Sequence, residues 1–353
     1  MSGPAHAAFD RGRGGSGALG RGTASRPDVV RGIHPFHRHA WSRLDLSREP
    51  VIDLPPSFFI VGAPRCGTTS LSRALKEHPR ISFSKPKETH YLLLVPPVLS
   101  EQELRALYVS LHHQELGPQH QAIGDGSVSY LYAPEAIRQA LRFDPRARFV
   151  VMVRNPLDML PSYHARMVYT LDENVADFAK AWALQSRRAA SQDIPRRCRD
   201  PRLLQYGEVG RLGAHIERLF EVAGRDRCLA IVFDDFASEP GAVYRQVLDF
   251  VGVENDGRTK FRHKAENRGF ASPWLQQFVM NPPPWAVRLV DVANGAMIGR
   301  MKRVRRRLKH LNTLRRERPE LRDGMRGTLR DHFADDVRKL SALLERDLSH
   351  WLD

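Results

Sequence analysis

The hydrophobic pattern of the chain switches repeatedly between two periods. Short, continuous apolar runs occur at Phe58–Val61, Ile81–Phe83, Ala122–Asp125, Arg148–Val153 (RFVVMV) and Cys228–Phe233 (CLAIVF), and each predicts a strand buried on both faces. Between them, apolar residues recur every three or four positions. Those stretches predict helices over Thr68–His78, Glu101–His113, Pro134–Leu141, Leu157–Thr170, Val175–Gln192, Glu208–Ala223 and Pro240–Val251. Residues 193–206 read as a basic, proline-bearing loop. Strands alternating with helices predict a three-layer α/β fold, with a central, mostly parallel sheet flanked by helices.

The same pattern divides the chain. Residues 1–50 are rich in Gly, Arg, Ser and His with little periodicity, and predict a disordered basic arm. Residues 51–280 hold the α/β domain. Residues 281–353 predict a basic helical extension that packs on it. Within that extension Trp285–Arg318 is arginine-dense, with Met297, Met301, Val304, Leu308 and Leu311 on one face, and 320–352 is amphipathic up to Trp351-Leu352. No internal repeat is present.

Composition narrows the partners. With 353 residues the chain accommodates one large domain plus extensions. A net charge of +15 calls for an anionic partner: a nucleotide, an acidic glycan, nucleic acid or a membrane surface. Three scattered cysteines (Cys66, Cys198, Cys228) fit neither a disulfide framework nor a zinc site, so a reducing compartment and no metal are expected. No apolar run approaches the roughly 20 residues that span a bilayer. The N-terminus carries no signal-peptide core. The expectation is a cytoplasmic protein, at most peripheral at a membrane.

The chemistry starts at FFIVGAPRCGTTSLSRALKEH, Phe58 to His78. Strand, glycine loop and helix is the geometry that turns backbone N–H groups and a helix N-terminus toward a phosphate. Gly62 and Gly67 have Walker A spacing, but Thr68 stands where that motif needs lysine, and the only cation in the loop is Arg65. On its own the stretch also reads as an ordinary βα turn with helix-capping threonines. A second candidate follows the Arg148–Val153 strand: Arg154-Asn155-Pro156-Leu157-Asp158, with Ser162 two turns into the next helix. Arginine at the C-terminal end of a parallel strand sits where open α/β sheets bind ligands, and with Ser162 it can clamp a phosphate. A helix-start loop with a surface arginine is the blander reading.

Taken together, GAPRCGTTSL and VRNPLDMLPSYH resemble the two nucleotide-binding motifs of the sulfotransferases that use 3′-phosphoadenosine 5′-phosphosulfate (PAPS). The resemblance runs over roughly residues 56–275 and includes LAIVFDDFASEP and Asn267-Arg268-Gly269. It implies a P-loop-like fold and PAPS as co-substrate. By position, Arg65, Cys66, Gly67, Thr68, Thr69 and Ser70 would cradle the 5′-phosphosulfate. Arg65 falls where many members carry a lysine that bridges to the leaving oxygen, and arginine is not its equivalent. Arg154 and Ser162 would bind the 3′-phosphate, with Arg268 and Gly269 closing over it.

KPKETHYL resembles the signature of the carbohydrate and heparan sulfate branch, which maps the general base to Glu88, with Lys85 and Lys87 beside it to meet substrate anions. His90 is the second candidate for the base, because small-molecule members use a histidine. One departure is plain: where glycan-type members carry E-K-T-P-x-Y, this chain has Asp125-Gly126-Ser127-Val128-Ser129-Tyr130, so the family's lysine is a glycine. Asp125 reads either as a support for the acceptor hydroxyl or as the cap of the adjacent turn.

The implied activity is sulfuryl transfer to a hydroxyl of a carbohydrate or glycolipid. Arg300–Arg307 (RMKRVRRR) lacks the aromatic interleaving of a nucleic-acid patch. With Met297, Ile298, Met301 and Val304 facing inward, 285–316 fits a basic helix on anionic lipid, and equally a solvated helix face. Two other functions compete: a small-molecule P-loop kinase, and a non-catalytic basic protein that binds nucleic acid or membrane.

Overall fold

The computed structural model describes Leu54 and residues 57–94, 100–261, 267–280, 295–316, 321 and 323–353. The expected arm over 1–50 and the stretch 281–294 lie outside them. All five apolar runs form strands: β1 Ser57–Gly62, β2 Ile81–Phe83, β3 Ala122–Asp125, β4 Arg148–Val153 and β5 Cys228–Val232. They build one parallel sheet in the order β2-β3-β1-β4-β5. Every residue of β1 is buried, as its unbroken apolar run requires at the centre of a sheet covered on both faces. The chain runs outward from β1 to β2, returns through β3, then crosses to β4 and β5. The reversal falls between β1 and β4, and the crevice beyond their C-terminal ends is where such sheets bind ligands.

Several helices match their periodic stretches closely: Thr68–Lys76, Glu101–His112, Pro134–Phe143, Pro156–Thr170 and Pro240–Val251. Glu101–His112 carries a full capping box, with the Ser100 hydroxyl accepting from the Glu103 N–H and the Glu103 carboxylate accepting from the Ser100 N–H. Two expected helices are broken by tertiary demands. Val175–Gln192 is two short helices, Phe178–Ala183 and Gln185–Ala189, and the second turns Arg188 into the interior. Glu208–Ala223 is interrupted at Arg211, giving Tyr206–Gly210 and Leu212–Ala223. The second piece is capped from far along the chain: Asp336 accepts from Gly213 N at 2.8 Å and Ala214 N at 3.0 Å. Only glycine fits at 213, because a Cβ there would stand 2.4 Å from the Asp336 carbonyl oxygen.

Asp336 belongs to the helix Asp323–Leu344, which buries Leu329, Phe333, Val337 and Leu340 in the same core as the sheet. Trp351 follows it into the interior, and its carbonyl accepts from Asn155 Nδ2 at 3.1 Å. The remainder of the basic extension departs from its sequence pattern. A helix covers Gly295–Asn312, but Thr313–Arg316 is a strand, β7, that pairs antiparallel with β6 (Asn267–Phe270). Asn312 terminates the helix by bonding Ser272 and Gln276. Val304 does not face inward: it is 56% exposed, and Leu311 is 75% exposed. The side chains of Met297, Ile298 and Met301 lie outside the described residues.

The segment after the Pro156–Thr170 helix is anchored by a fully buried ion pair. Arg188 donates to both oxygens of Glu173 at 2.7 and 2.8 Å, and Tyr206 donates to the same carboxylate at 2.7 Å. Burial pushes the Glu173 carboxyl up, but the Arg188 and Tyr206 hydrogen bonds outweigh it and hold it below the usual range. Removing one partner strands the other charge. Arg188→Met is therefore expected to cost about 3–5 kcal/mol in a urea unfolding experiment, and a loss under 1 kcal/mol would refute that role. Because the folded pKa is depressed, the pair's stabilisation is present above the ordinary carboxylate range and is lost as pH falls through it.

Candidate active site

β1 runs straight into the loop Gly62–Gly67, and the Ala63 N–H donates to the Met152 carbonyl of β4 at 2.7 Å. This keeps the two strand ends together beyond the sheet. The loop turns with Arg65 at φ 65° and Gly67 at φ 89°, both left-handed. Glycine is favoured at 67 on a second count, since a Cβ there would crowd the Phe233 ring at 3.1 Å and Met152 at 3.3 Å. The helix Thr68–Lys76 then starts with no side-chain cap. The Ser70 N–H closes the first turn onto the Gly67 carbonyl at 2.9 Å, and a helix N-terminus with its dipole suits an anion.

Cys66 points the other way. Its side chain is buried, and burial pushes the thiol up to about 12 against the pull of Arg154 and Arg65. Of the expected cradle, Cys66 can therefore offer only its backbone. Thr68 is also buried, whereas Thr69 is exposed and Ser70 half-buried.

Arg154 leaves the end of β4 and lies almost buried, at 5% exposure, with its guanidinium 4.6 Å from the centre of the Phe233 ring. It pairs with Asp158 at 3.2 Å and reaches the Arg65 carbonyl at 3.5 Å, while its buried Nε has no partner among the described residues. Asn155 caps the next helix, accepting from Leu157 N at 2.9 Å, and this fixes where Ser162 emerges. The two motifs meet directly: Arg65 Nε donates to Ser162 Oγ at 2.8 Å, across 97 residues of sequence. Arg65, expected by position beside a leaving oxygen, has its Nε directed to the second motif.

The catalytic candidates sit at the other end of the loop. Glu88 is partly exposed, with Lys87 Nζ donating to Oε1 at 3.1 Å and His90 Nε2 3.8 Å from Oε2. His90 is held by its other nitrogen, 2.7 Å from Ser129 Oγ. Lys87 Nζ also reaches Thr68 Oγ1 at 3.5 Å, which ties this segment to the phosphate loop. Lys85 is turned away, paired with Glu115 at 2.6 Å.

Asp125 lies beneath this segment. It is fully buried and accepts from Thr89 at 2.5 Å, Tyr108 at 3.0 Å and the Ser127 N–H at 2.7 Å. Burial pushes its carboxyl above the usual range, against those hydrogen bonds. Of its two expected roles, the structure places it in the turn, where it organises the Glu88–His90 segment through Thr89. Gly269 lies in β6 opposite Leu314, and β6 packs against the helix that carries Ser162. The Arg268 side chain lies outside the described residues.

One feature has no counterpart in the sequence reading. A cavity of about 600 Å³ opens beside the phosphate-loop helix, lined by Ser70, Arg73, Phe236, Arg258, Lys260 and Phe261 among others. Thr259-Lys260-Phe261 follows the last strand–helix unit as an irregular stretch, so no periodicity marks it.

Comparison with known proteins bears on the family and the fold. The sulfotransferase domain family matches residues 55–272. The solved structure of a sulfotransferase from Alicyclobacillus acidocaldarius is similar over 84% of this chain and 99% of that protein, with 25% identity and a TM-score of 0.57. Mouse bifunctional heparan sulfate N-deacetylase/N-sulfotransferase 4 is 23% identical over 231 residues, which are 62% of this chain. The match spans only 24% of the mouse protein's length. Human carbohydrate sulfotransferase 15 is 50% identical over a 36-residue stretch. The chain is an enzyme and belongs to the sulfotransferase family.

Proposed function

We propose that this enzyme moves a sulfuryl group from PAPS to a hydroxyl of a carbohydrate or glycolipid. The observation that carries this reading is the Arg65–Ser162 hydrogen bond, which joins the two anion-binding motifs into one site. The residues present fit PAPS. A helix N-terminus without a side-chain cap suits the 5′-phosphosulfate, and a buried arginine whose Nε has no partner among the described residues suits the 3′-phosphate. The cavity offers Phe236 and Phe261 to the adenosine, with Arg73 and Lys260 as cations, while its Arg258 is paired to Glu77 and Asp256 of the same lining. Bound there, PAPS supplies an activated sulfuryl group.

The chain's own residues do the rest. Backbone N–H groups of Gly67, Thr68 and Thr69 with the Ser70 hydroxyl hold the 5′ end, and Arg154 with Ser162 holds the 3′-phosphate by charge-assisted hydrogen bonds. Glu88, open to solvent between Lys87 and His90, takes the proton of the acceptor hydroxyl. Asp125 and Ser127 position that base: the Ser127 hydroxyl accepts from both Thr89 N and His90 N at 3.0 Å. Arg268 and Gly269 contribute to the 3′-phosphate site in this reading, because β6 lies on the Ser162 helix.

Contact with an anionic membrane through 285–316 is a second part of the proposal. It is supported by the exposed Val304 and Leu311 alongside the exposed Arg303, Arg305, Arg306 and Arg307.

Three measurements test these assignments. Glu88→Gln is expected to abolish transfer while leaving affinity for adenosine 3′,5′-bisphosphate intact, and near-normal transfer by this variant removes Glu88 as the base. Arg154→Ala is expected to weaken bisphosphate binding by about 2 kcal/mol or more, and an unchanged affinity eliminates the 3′-phosphate site. At low salt the protein is expected to co-sediment with phosphatidylserine vesicles and not with phosphatidylcholine vesicles. Equal behaviour toward both would sink the membrane contact.

A further inference from the structure

The sequence places glycine at 126, where the glycan-type sulfotransferases it resembles carry a lysine. The structure shows what fills that space. A Cβ built on Gly126 would stand 2.8 Å from Lys87 Cε and 2.9 Å from Lys87 Cγ, so the Lys87 stem runs through the volume that a side chain at 126 would occupy. The backbone holds this arrangement from both sides, as Gly126 N and Ser84 Oγ both donate to the Lys87 carbonyl, at 3.0 and 3.1 Å. From there Nζ ends 3.5 Å from Thr68 Oγ1 at the start of the phosphate-loop helix and 3.1 Å from Glu88 Oε1. Arg65, the cation inside the loop, is directed to Ser162 instead.

We propose that Lys87 is the cation of the sulfuryl end of the site, reaching across Gly126 to meet the 5′-phosphosulfate between Thr68 and Glu88. The assignment rests on the sulfotransferase reading above. In the transfer, the acceptor oxygen bonds to sulfur as the bond from sulfur to the 5′-phosphate oxygen breaks. The electron pair of that bond stays on the 5′-phosphate and the hydroxyl proton passes to Glu88. The Lys87 ammonium faces the oxygen that gains charge and the carboxylate that takes the proton, so one group serves both ends of the step. Glycine at 126 is then a requirement of this layout, because any larger residue displaces the lysine stem. The atoms that must give, Lys87 Cγ and Cε with Ser72 Oγ at 3.0 Å, all belong to side chains, so a small substitution moves Lys87 rather than unfolding the turn.

The test separates the 5′ end from the rest of the nucleotide. Calorimetric titrations compare adenosine 3′,5′-bisphosphate with adenosine 3′-monophosphate, which lacks the 5′-phosphate. Lys87→Met keeps the apolar stem over Gly126 and removes only the ammonium. It is expected to weaken bisphosphate binding about tenfold or more and to leave monophosphate binding unchanged, as for a lost charge-assisted contact. Gly126→Ala is expected to cause a loss of the same kind in the wild-type background and little further loss in Lys87→Met, because both changes remove one contact. Unchanged bisphosphate affinity in Lys87→Met, equal loss for both nucleotides, or additive effects of the two substitutions would each overturn the assignment. If the wild-type protein binds neither nucleotide, the sulfotransferase reading itself fails, a result distinct from those three.

Discussion

The site depends on one constraint: past the register shift between Ile60 and Gly62, the chain leaving β1 stays bonded to β4 through the Ala63 N–H to Met152 carbonyl bond. That bond fixes the phosphate loop against the strand that delivers Arg154. Everything polar in the site is then within reach of short side chains. Phe233 packs beneath both halves, touching the space at Gly67 and stacking under the Arg154 guanidinium. An almost buried arginine is costly unless it is paired, and here Asp158 and the aromatic face share that role.

The rest of the molecule acts as scaffolding for this edge. Asn155 is tied to the Trp351 carbonyl, so the end of the chain supports the residue that starts the Ser162 helix. Arg346 pairs with Asp235 just after the turn that presents Phe233. The segment after the C-terminal helix is thus joined to both sides of Arg154, while the helix itself fills the core with Phe333 and Val337. At the catalytic end, Asp125 plays the corresponding part. Its buried carboxylate gathers Thr89, Tyr108 and Ser127, and so sets the backbone from which Lys87, Glu88 and His90 project.

The boundary between what was legible and what was not follows the range of the forces involved. Five buried strands and the parallel layering were readable because continuous apolar runs at the centre of a sheet leave few alternatives. The two glycines of the loop were readable because backbone geometry at Gly67 admits little else. The helices that broke were those whose ends are set from elsewhere: Asp336 caps Leu212–Ala223 from more than a hundred residues away, and Arg188 is drawn inward by Glu173. β7 was missed for the same reason, since the run TLRR becomes a strand only by pairing with Asn267–Phe270.

By itself the sequence determined the fold class and, through the resemblance of its motifs, the family, because these rest on local patterns of period, glycine and charge. Tertiary structure alone decided which way the charged groups point. Arg65 turns to Ser162, Asp125 goes to the buried turn, and Lys87 crosses Gly126 to the loop. Long side chains have several rotamers of similar energy, and only the packed neighbours of a folded chain select among them. The loop between β1 and its helix therefore announces an anion, while its surroundings decide which cation meets which end of it.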